Sequence, residues 1–278
     1  MDEVGLLVTY ITDDGFLKFS KVGGIQTKVL LGRTVKIGKV VGVIGVKPIH
    51  LLDSDKKTDI PETDELYIDI GTDCKEDAEK LVSIGDPVTF DSAYFEFGQD
   101  KIKSKAIDDR LGCAMMLKMI KEPLTYDAVF TFVVQEEIGC RGAGVAANRV
   151  QPDYAIVLES TTASDIAGVE NEKRVCLLGD GPVVTFMDKA TVYSKKLYDR
   201  AFSLAKTNHI PIQTKTVVAG GNDAGVIHKS GIGVKTIAVS VPCRYLHSPS
   251  CVIDKNDAEK MYELTKLIFE DFANDCLD

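Results

Sequence analysis

The chain has 278 residues, of which 45% are hydrophobic and 27% are charged, and its formal net charge at pH 7 is −9. This length fits one large globular domain, or one domain joined to a smaller one. The acidic balance disfavours a nucleic-acid surface, because phosphate binding depends on clusters of lysine and arginine. No apolar run approaches the roughly 18 residues of a membrane span, and no basic segment followed by an apolar one indicates a signal peptide.

The cysteines indicate the redox environment of the protein and do not identify its activity. Seven are present: Cys74, Cys113, Cys140, Cys176, Cys243, Cys251 and Cys276. Their number is odd and no two are spaced as Cys-x-x-Cys, so they predict free thiols rather than a disulfide framework. We therefore expect a cytoplasmic protein that has neither a nucleic acid nor a membrane as its partner.

The first part of the chain, from Leu6 to about Phe97, is predicted to be rich in β-strands. The stretch LLVTYITDDGFLKFSKVGG alternates apolar and polar residues and turns at Asp13-Asp14-Gly15. TVKIGKVVGVIGV and ELYIDIG continue this pattern with many valines and isoleucines, and the segment KEDAEKLVSI predicts one short helix among them. These features predict a small β-rich domain.

From about Asp100 onward, strands are predicted to alternate with helices. The helix DDRLGCAMMLKMIKE precedes the apolar stretch Val129–Val134, which predicts a buried strand. YAIVLES, IQTKTVV and VKTIAVSV predict further strands, and GAGVAANRV, SKKLYDRAFSLAKTNH, NDAGVIHKS and NDAEKMYELTKLIFEDFAND predict helices. This alternation predicts an α/β sheet that is covered by helices on both faces.

Acidic residues and one histidine stand at the junctions between these strands and helices. They are Asp108, Asp109, Glu136, Glu137, Glu159 and His247. Because sites in such sheets gather at the carboxyl ends of the strands, we expect these side chains to meet. Converging carboxylates repel each other unless a cation or a proton lies between them. Mixed carboxylate and imidazole ligands suit zinc, cobalt or manganese, so the pattern predicts a divalent metal site.

Each of these residues alone has a simpler interpretation. Paired acids after a strand are commonly solvated loop residues, and Asp108 or Asp109 could cap a helix. Glu159 alone is typical of an exposed strand end. His50, His209 and His228 are interpreted as structural or surface residues, unlike His247. The metal hypothesis therefore depends on the coincidence of all these features.

Parts of the sequence also match two other kinds of site. Gly142–Ala147 matches the Gly-x-Gly-x-x-Ala pattern of dinucleotide sites, with Glu159 downstream. Glu136 and Glu137 precede it, however, where a pyrophosphate needs amide N–H groups and no negative charge. Cys140 lies near a predicted helix start that could lower its thiol pKa, although no histidine lies nearby in the sequence.

Five ordered motifs resemble those of the glutamyl aminopeptidase family, the dinuclear metallo-aminopeptidases that build tetrahedral (TET) dodecamers. The motifs are AIDDRLG, VVQEEIGCRGA, VLESTTASD, AGGNDAGVIH and PCRYLHSP, in the family's order and at similar spacing. The resemblance covers nearly the whole chain, and some family members carry an endoglucanase name. It implies a metallo-aminopeptidase/phosphorylase-like α/β fold, with a mixed sheet flanked by helices and an inserted small β-rich domain.

The resemblance also implies two metal sites, for zinc or cobalt, and their four ligands are Asp108, Glu137, Glu159 and His247. Asp108 would bridge the two ions. Glu137 and His247 would complete the first site, and Glu159 would bind the second ion. Glu136 would act as the general base on a metal-activated water. Asp2 and Asp109 would lie behind the ligands and orient them.

The resemblance divides the chain into three parts. Residues 1–8 are expected to be a strand of the catalytic domain, residues 9–97 an inserted β-rich oligomerisation domain, and residues 98–278 the catalytic domain. The family motif at the start reads His-Met-Asp-Glu-Ile/Val-Gly, whereas this sequence begins at the position of the methionine. Asp2 would then lack the histidine that it orients, and the second metal site is expected to bind more weakly than the first.

The predicted function is the removal of N-terminal residues from peptides by a homo-oligomer, between a dimer and a dodecamer in size. Two alternatives belong to other classes. Without the family's histidine, the chain could be a weakly active or non-catalytic metal-binding protein that only assembles. Glycoside hydrolysis would also use two carboxylates, but it would need neither His247 nor so many converging ligands.

Overall fold

The computed structural model describes residues 3–52 and 59–274, which form two compact units. Asp2, one of the predicted orienting residues, lies outside these ranges. The smaller unit consists of Val4–Ala93 and His247–Pro249, and the rest of the described chain forms the larger unit. No helix within the described ranges is both long enough and apolar enough to cross a membrane.

The smaller unit is a closed barrel of six antiparallel strands in the order β1-β2-β5-β4-β3-β6. Its elements are β1 (Gly5–Ile11), β2 (Leu17–Val22), β3 (Thr34–Ile37), β4 (Val40–Gly45), β5 (Tyr67–Asp69), α1 (Lys75–Glu79) and β6 (Pro87–Phe90). Leu6, Val8 and Leu17 contribute to its buried core. The predicted turn joins β1 to β2, and its Gly15 has a φ of +82°, which glycine adopts without strain. The prediction of a small β-rich unit is confirmed.

The start of the chain belongs to the first strand of the barrel. Residues 5–8 lie in β1 and not in a strand of the larger unit. Leu6 pairs with Lys21 of β2 and with Val88 of β6, so this strand is needed to close the barrel. The assignment of a catalytic and an oligomerisation role to the parts of the chain stays a prediction.

The larger unit contains a mixed sheet in the order β11-β10-β12-β9 and an antiparallel sheet in the order β13-β8-β7. Its elements are β7 (Phe95–Phe97), β8 (Lys101–Ser104), α2 (Ile107–Lys121), α3 (Arg141–Val150), β9 (Tyr154–Thr162), β10 (Val183–Val184), α4 (Lys195–Thr207), β11 (Gln213–Thr214), α5 (Ala224–Ile227), β12 (Lys235–Cys243), β13 (Cys251–Asp254) and α6 (Lys255–Ala273). β12 is parallel to β9 and antiparallel to β10. Residues of α2, α4 and α6 share one buried core with this sheet, which confirms the predicted α/β fold.

The helices of the larger unit begin where the sequence offers side-chain caps. Ser194 precedes α4 and accepts a hydrogen bond from the backbone N–H of Leu197. Asp254 precedes α6 and accepts from the N–H groups of Asn256 and Asp257. Such caps satisfy N–H groups of the first turn that have no partner within the helix.

The stretch Val129–Val134 is not a buried strand, so that prediction is wrong. It lies between α2 and α3 and belongs to neither sheet of the larger unit. Val129 and Val134 are 68% and 60% exposed. A strand needs a neighbour that takes up its backbone hydrogen bonds, and an apolar composition does not reveal whether one exists. The predicted strand IQTKTVV is likewise reduced to the two residues of β11.

Candidate active site

Asp108, Asp109 and Glu159 bring three carboxylates together in the larger unit. Asp108 and Asp109 lie at the start of α2, where the backbone is not yet helical and the peptide bond between them is cis. Glu159 is buried in β9, and its Cα pairs with that of Ser240 in β12. One carboxylate oxygen of each of the three residues lies within 4.8 Å of the others. Two elements that are distant in sequence therefore converge on one point.

The carboxylate of Asp109 is enclosed by the protein. Its Oδ1 accepts a hydrogen bond from the backbone N–H of Gly112 at 3.2 Å. Its Oδ2 is buried and has no hydrogen-bond partner among the residues that the structure describes. A buried carboxylate oxygen without a donor is costly, so this side chain needs a cation or a proton close by.

Burial raises the pKa values of Asp109 and Glu159, and mutual repulsion adds to the effect. For Asp109 the second cause is the charge of Asp108, and for Glu159 it is the charge of Asp109 followed by that of Asp108. Carboxylates in this position keep their charges only beside a cation. Several oxygen donors at this spacing fit a divalent ion such as zinc, cobalt or manganese. The donor set is therefore compatible with the predicted metal centre.

Glu136 and Glu137 lie in a tight loop that leads into α3. Four backbone hydrogen bonds close it: Gly142 N–H to Val134 O at 3.0 Å, Arg141 N–H to Gln135 O at 3.1 Å, Cys140 N–H to Glu136 O at 2.9 Å, and Gly139 N–H to Glu136 O at 3.0 Å. Gln135 and Cys140 have φ values of +65° and +55°, which are uncommon for residues with a Cβ atom. Such strain persists only where the surroundings impose it, so the loop holds both half-buried glutamates in a defined place.

The two adjacent glutamates have different neighbours. A carboxylate oxygen of Glu137 lies within 4.8 Å of one of Asp108. Glu136 is grouped instead with Cys140 and Asp223, and its Oε1 lies 3.7 Å from Sγ of Cys140. The loop therefore presents Glu137 to Asp108, and Glu136 to Cys140 and Asp223. The charges of Glu136 and Asp223 also contribute to the raised pKa values of Asp109 and Glu159.

Asp223 is a buried residue of this region that the sequence did not single out. It lies directly before α5, inside the motif AGGNDAGVIH. Its neighbour Asn222 donates to Oη of Tyr193 at 3.2 Å, and Tyr193 donates to Oδ2 of Asp188 at 2.8 Å, so the motif is anchored to a buried network. The signal in the sequence that could have pointed to Asp223 was this motif. It was ambiguous, because Asn-Asp before a short helix is also typical of a simple helix cap.

Cys140 is not an activated thiol. It occupies the position before the first residue of α3, where a helix can lower a thiol pKa. Burial raises the pKa of Cys140 instead, and the charge of Glu136 raises it further. The thiol is therefore protonated at neutral pH, and the interpretation of Cys140 as a helix-activated nucleophile is wrong.

His247 lies in the short segment that is grouped with the smaller unit. Its Nδ1 is 3.4 Å from the carbonyl oxygen of Gly24 in that unit. Both His247 and Tyr245 have positive φ values, +55° and +58°. The role of His247 as a metal ligand stays a prediction, as do the roles of the other six site residues.

Sequence relatives identify the family of the chain. The family model described as M42 glutamyl aminopeptidase matches residues 1–264. FrvX of Escherichia coli (strain K12) is 36% identical over 274 residues, which cover 96% of this chain and 77% of FrvX. The lysyl aminopeptidase of Pyrococcus furiosus is 31% identical over 283 residues, which cover 98% of this chain and 80% of that protein. The chain thus spans 77–80% of the length of these relatives.

Solved structures share the fold along the chain. An aminopeptidase of the archaeon Desulfurococcus kamchatkensis has a TM-score of 0.93 and 34% identity, and the match covers 100% of this chain and 79% of that one. The TET1 peptidase of Pyrococcus horikoshii has a TM-score of 0.83 and 35% identity, with coverage of 96% and 81%. That peptidase can assemble into a tetrahedron or a large octahedral shell.

One further structure bears on the name that some relatives carry. It comes from Thermotoga maritima, is described as an endoglucanase, and has a TM-score of 0.80 and 35% identity, with coverage of 100% and 80%. It matches the same part of this chain as the two aminopeptidase structures do. The resemblance drawn from the five motifs is confirmed, and the chain belongs to the M42 glutamyl aminopeptidase family of peptide hydrolases.

Proposed function

We propose that the chain removes N-terminal residues from peptides and uses two divalent metal ions to do so. The observation that carries this proposal is the convergence of Asp108, Asp109 and Glu159 within 4.8 Å, with the pKa values of Asp109 and Glu159 raised by burial. Asp108 would be shared by both ions, and Glu159 would hold the second. Glu137, whose carboxylate lies within 4.8 Å of that of Asp108, would hold the first ion together with His247.

The metal ions and the side chains of the site would have different roles in the reaction. Zinc or cobalt, when bound, would supply Lewis-acid activation of water and polarisation of the peptide carbonyl. Glu136 would accept a proton from the attacking water on a carboxylate oxygen and deliver it to the nitrogen of the leaving amine. The protonated thiol of Cys140, 3.7 Å from Oε1 of Glu136, would orient this carboxylate without neutralising its charge.

Selection of the peptide N-terminus would follow from the charges of the site. A free α-amino group is attracted to carboxylates. We assign its binding to the side of the site that contains Glu159. An acetylated N-terminus lacks both the charge and the amine lone pair. The enzyme would therefore cleave one residue at a time from a free end and would ignore blocked peptides.

We also propose that the chain acts as a homo-oligomer, between a dimer and a dodecamer in size. The assembly of the Pyrococcus horikoshii TET1 peptidase into closed shells supports this. Residues 9–97 are the proposed source of the contacts between subunits, because a small β-rich unit gains buried apolar area from a partner surface. Light scattering at micromolar concentration measures the particle mass, and a monomer would contradict the proposal.

The test of the activity compares three substrates before and after removal of metal by a chelator. They are aminoacyl anilides with a free α-amine, the same anilides acetylated at the amine, and carboxymethyl cellulose. We expect cleavage of the free aminoacyl anilides alone, its loss on chelation, and its return with zinc or cobalt. Cleavage of the cellulose alone would support a glycoside hydrolase, and metal binding without any turnover would support a non-catalytic metal-binding protein.

A further inference from the structure

The segment that carries His247 has a backbone that its surroundings must hold in place. It connects β12 to β13. Tyr245 and His247, two residues with Cβ atoms, have φ values of +58° and +55°. Residues other than glycine rarely adopt such angles unless neighbouring contacts impose them. The contacts at the base of this segment are therefore among those that hold the backbone leading to the imidazole.

Arg244 provides these contacts at the start of the segment. Its backbone N–H donates to the carbonyl oxygen of Val252 at 2.9 Å, and the N–H of Val252 donates back at 3.1 Å. Its guanidinium donates from Nε to Oδ1 of Asp165 at 2.8 Å and from Nη2 to Oδ2 at 2.7 Å. Two parallel hydrogen bonds fix the orientation of both planar groups, which a single bond does not.

Asp165 is itself held firmly. Its Oδ2 also accepts a hydrogen bond from the backbone N–H of Leu178 at 3.0 Å. Only 7% of its side chain is exposed, so water screens its pairing with Arg244 weakly. Burial alone would raise the pKa of Asp165, but the hydrogen bonds from Arg244 and Leu178 outweigh it and hold the pKa below the ordinary value. The carboxylate is thus a fixed negative charge.

The pair connects the ends of two neighbouring strands. Asp165 follows β9, the strand that contains Glu159, and Arg244 follows β12. The two strands run parallel, and their last paired residues are Thr162 and Cys243. The ion pair extends this connection beyond the end of the ladder. It therefore links the backbone that carries Glu159 to the backbone that continues to the histidine segment.

We propose that Asp165 and Arg244 are positioning residues that fix His247 for its role as a metal ligand. The inference rests on the proposed function, because it requires a metal ion at His247. Neither positioning residue is one of the proposed metal ligands. Without the pair, the segment would sample other backbone angles, and the affinity for metal would fall although every ligand is still present.

The test measures zinc affinity by competition with a chromophoric chelator, and the melting temperature of the metal-free protein, for wild type and Asp165→Asn. The matched control is Asp271→Asn, because Arg200 donates from Nε to Oδ1 of Asp271 at 2.9 Å and that carboxylate is also buried, with 5% of its side chain exposed. We expect Asp165→Asn to weaken the tighter zinc site by about 10- to 100-fold, and Asp271→Asn to change it by less than about twofold. Both variants should lower the melting temperature of the metal-free protein.

His247→Ala separates this inference from the proposed function. In that background Asp165→Asn should cause no further loss of zinc affinity, because the ligand that it positions is gone. If His247→Ala weakens zinc binding but Asp165→Asn does not, the positioning role is wrong and the proposed metal site stands. If His247→Ala leaves zinc affinity unchanged, both the ligand assignment and the positioning role are wrong.

A second variant keeps the proposal testable if Asp165→Asn does not fold. Arg244→Lys retains the positive charge but cannot form two parallel hydrogen bonds with one carboxylate. It should fold and should also weaken the tighter zinc site. A wild-type zinc affinity in Arg244→Lys would overturn the proposal.

Discussion

A Cβ atom at Gly112 would lie 2.6 Å from Oδ2 of Asp109, so this glycine and this carboxylate leave no room for a side chain between them. Alanine in place of glycine usually stabilises a helix by about 0.5–1 kcal/mol. Gly112→Ala should instead displace the carboxylate of Asp109 and lower turnover of an aminoacyl anilide by about 10-fold or more, because a small displacement in an active site is costly. Steady-state kinetics measures the loss.

Gly144→Ala is the matched control for this substitution. Gly144 lies within α3, and a Cβ atom there would meet side-chain atoms of Val226 at 3.7 and 3.8 Å, which are ordinary contact distances. This variant should keep full turnover and equal or higher stability. Wild-type turnover in Gly112→Ala would show that the position of Asp109 does not matter for the reaction.

Glu136→Gln and Glu137→Gln should separate the base from the ligand. Glutamine at residue 136 keeps the size of the side chain but cannot accept the proton, so turnover should fall by about 10²-fold or more while the bound metal is retained. Glutamine at residue 137 should instead lower the metal content, because a neutral amide is a weaker ligand than a carboxylate. Metal analysis after dialysis is compared with turnover, and equal metal loss in both variants would refute this division of roles.

Cys140 should make the stability of the protein depend on alkaline pH. Burial and then the charge of Glu136 raise the pKa of this thiol in the folded state, whereas the unfolded thiol ionises near pH ~8.5. The folded state then binds more protons than the unfolded state, so this contribution to stability is lost as the pH rises through the ordinary thiol pKa. In urea unfolding, the stability difference between wild type and Cys140→Ser should shift against wild type between about pH 7 and pH 9.5. A constant difference would show that the thiol is not perturbed.

Removal of metal should leave a cluster of carboxyl groups that must either bind protons or repel each other, and this cost can be measured. Glu159→Gln replaces one of these groups by a neutral amide, so at about pH 8 the metal-free variant should melt at a higher temperature than the metal-free wild type. Zinc should raise the melting temperature of wild type more than that of the variant, because it binds wild type more tightly. Glu170→Gln is the control, since its side chain is 65% exposed and should change neither value. A metal-free Glu159→Gln protein that melts below metal-free wild type would contradict the repulsion.

Much of the architecture could be predicted because its signals are local. β9 and β12 are apolar runs bounded by helical segments, and this alternation indicates an α/β sheet without any knowledge of the pairing. The rule that sites gather at the carboxyl ends of strands placed Glu159 near Asp108, and the structure brings the two within 4.8 Å. The hairpin between β1 and β2 followed from one Asp-Gly turn.

The features that could not be predicted depend on distant partners. Val129–Val134 has the composition of a strand, but ladder partners are set by topology, and the described sheets do not include it. Asp223 is buried beside Glu136 because α5 packs there, which no periodicity in its own segment reveals. The thiol of Cys140 has a helix start that would lower its pKa and a burial that raises it, and only the structure shows that burial prevails.

The parallel pairing of β9 with β12 also has a consequence for biosynthesis. These strands are hydrogen-bonded neighbours, although α4 and α5 lie between them in the chain. The ribosome therefore releases β9, with Glu159, long before β12 is made, and a pairing between such distant segments forms late. The sheet that supports the carboxylate cluster cannot be completed while translation is still in progress on β12. Until β12 is made, β9 lacks its parallel neighbour, so the nascent chain does not yet hold Glu159 in the paired position that the finished sheet gives it.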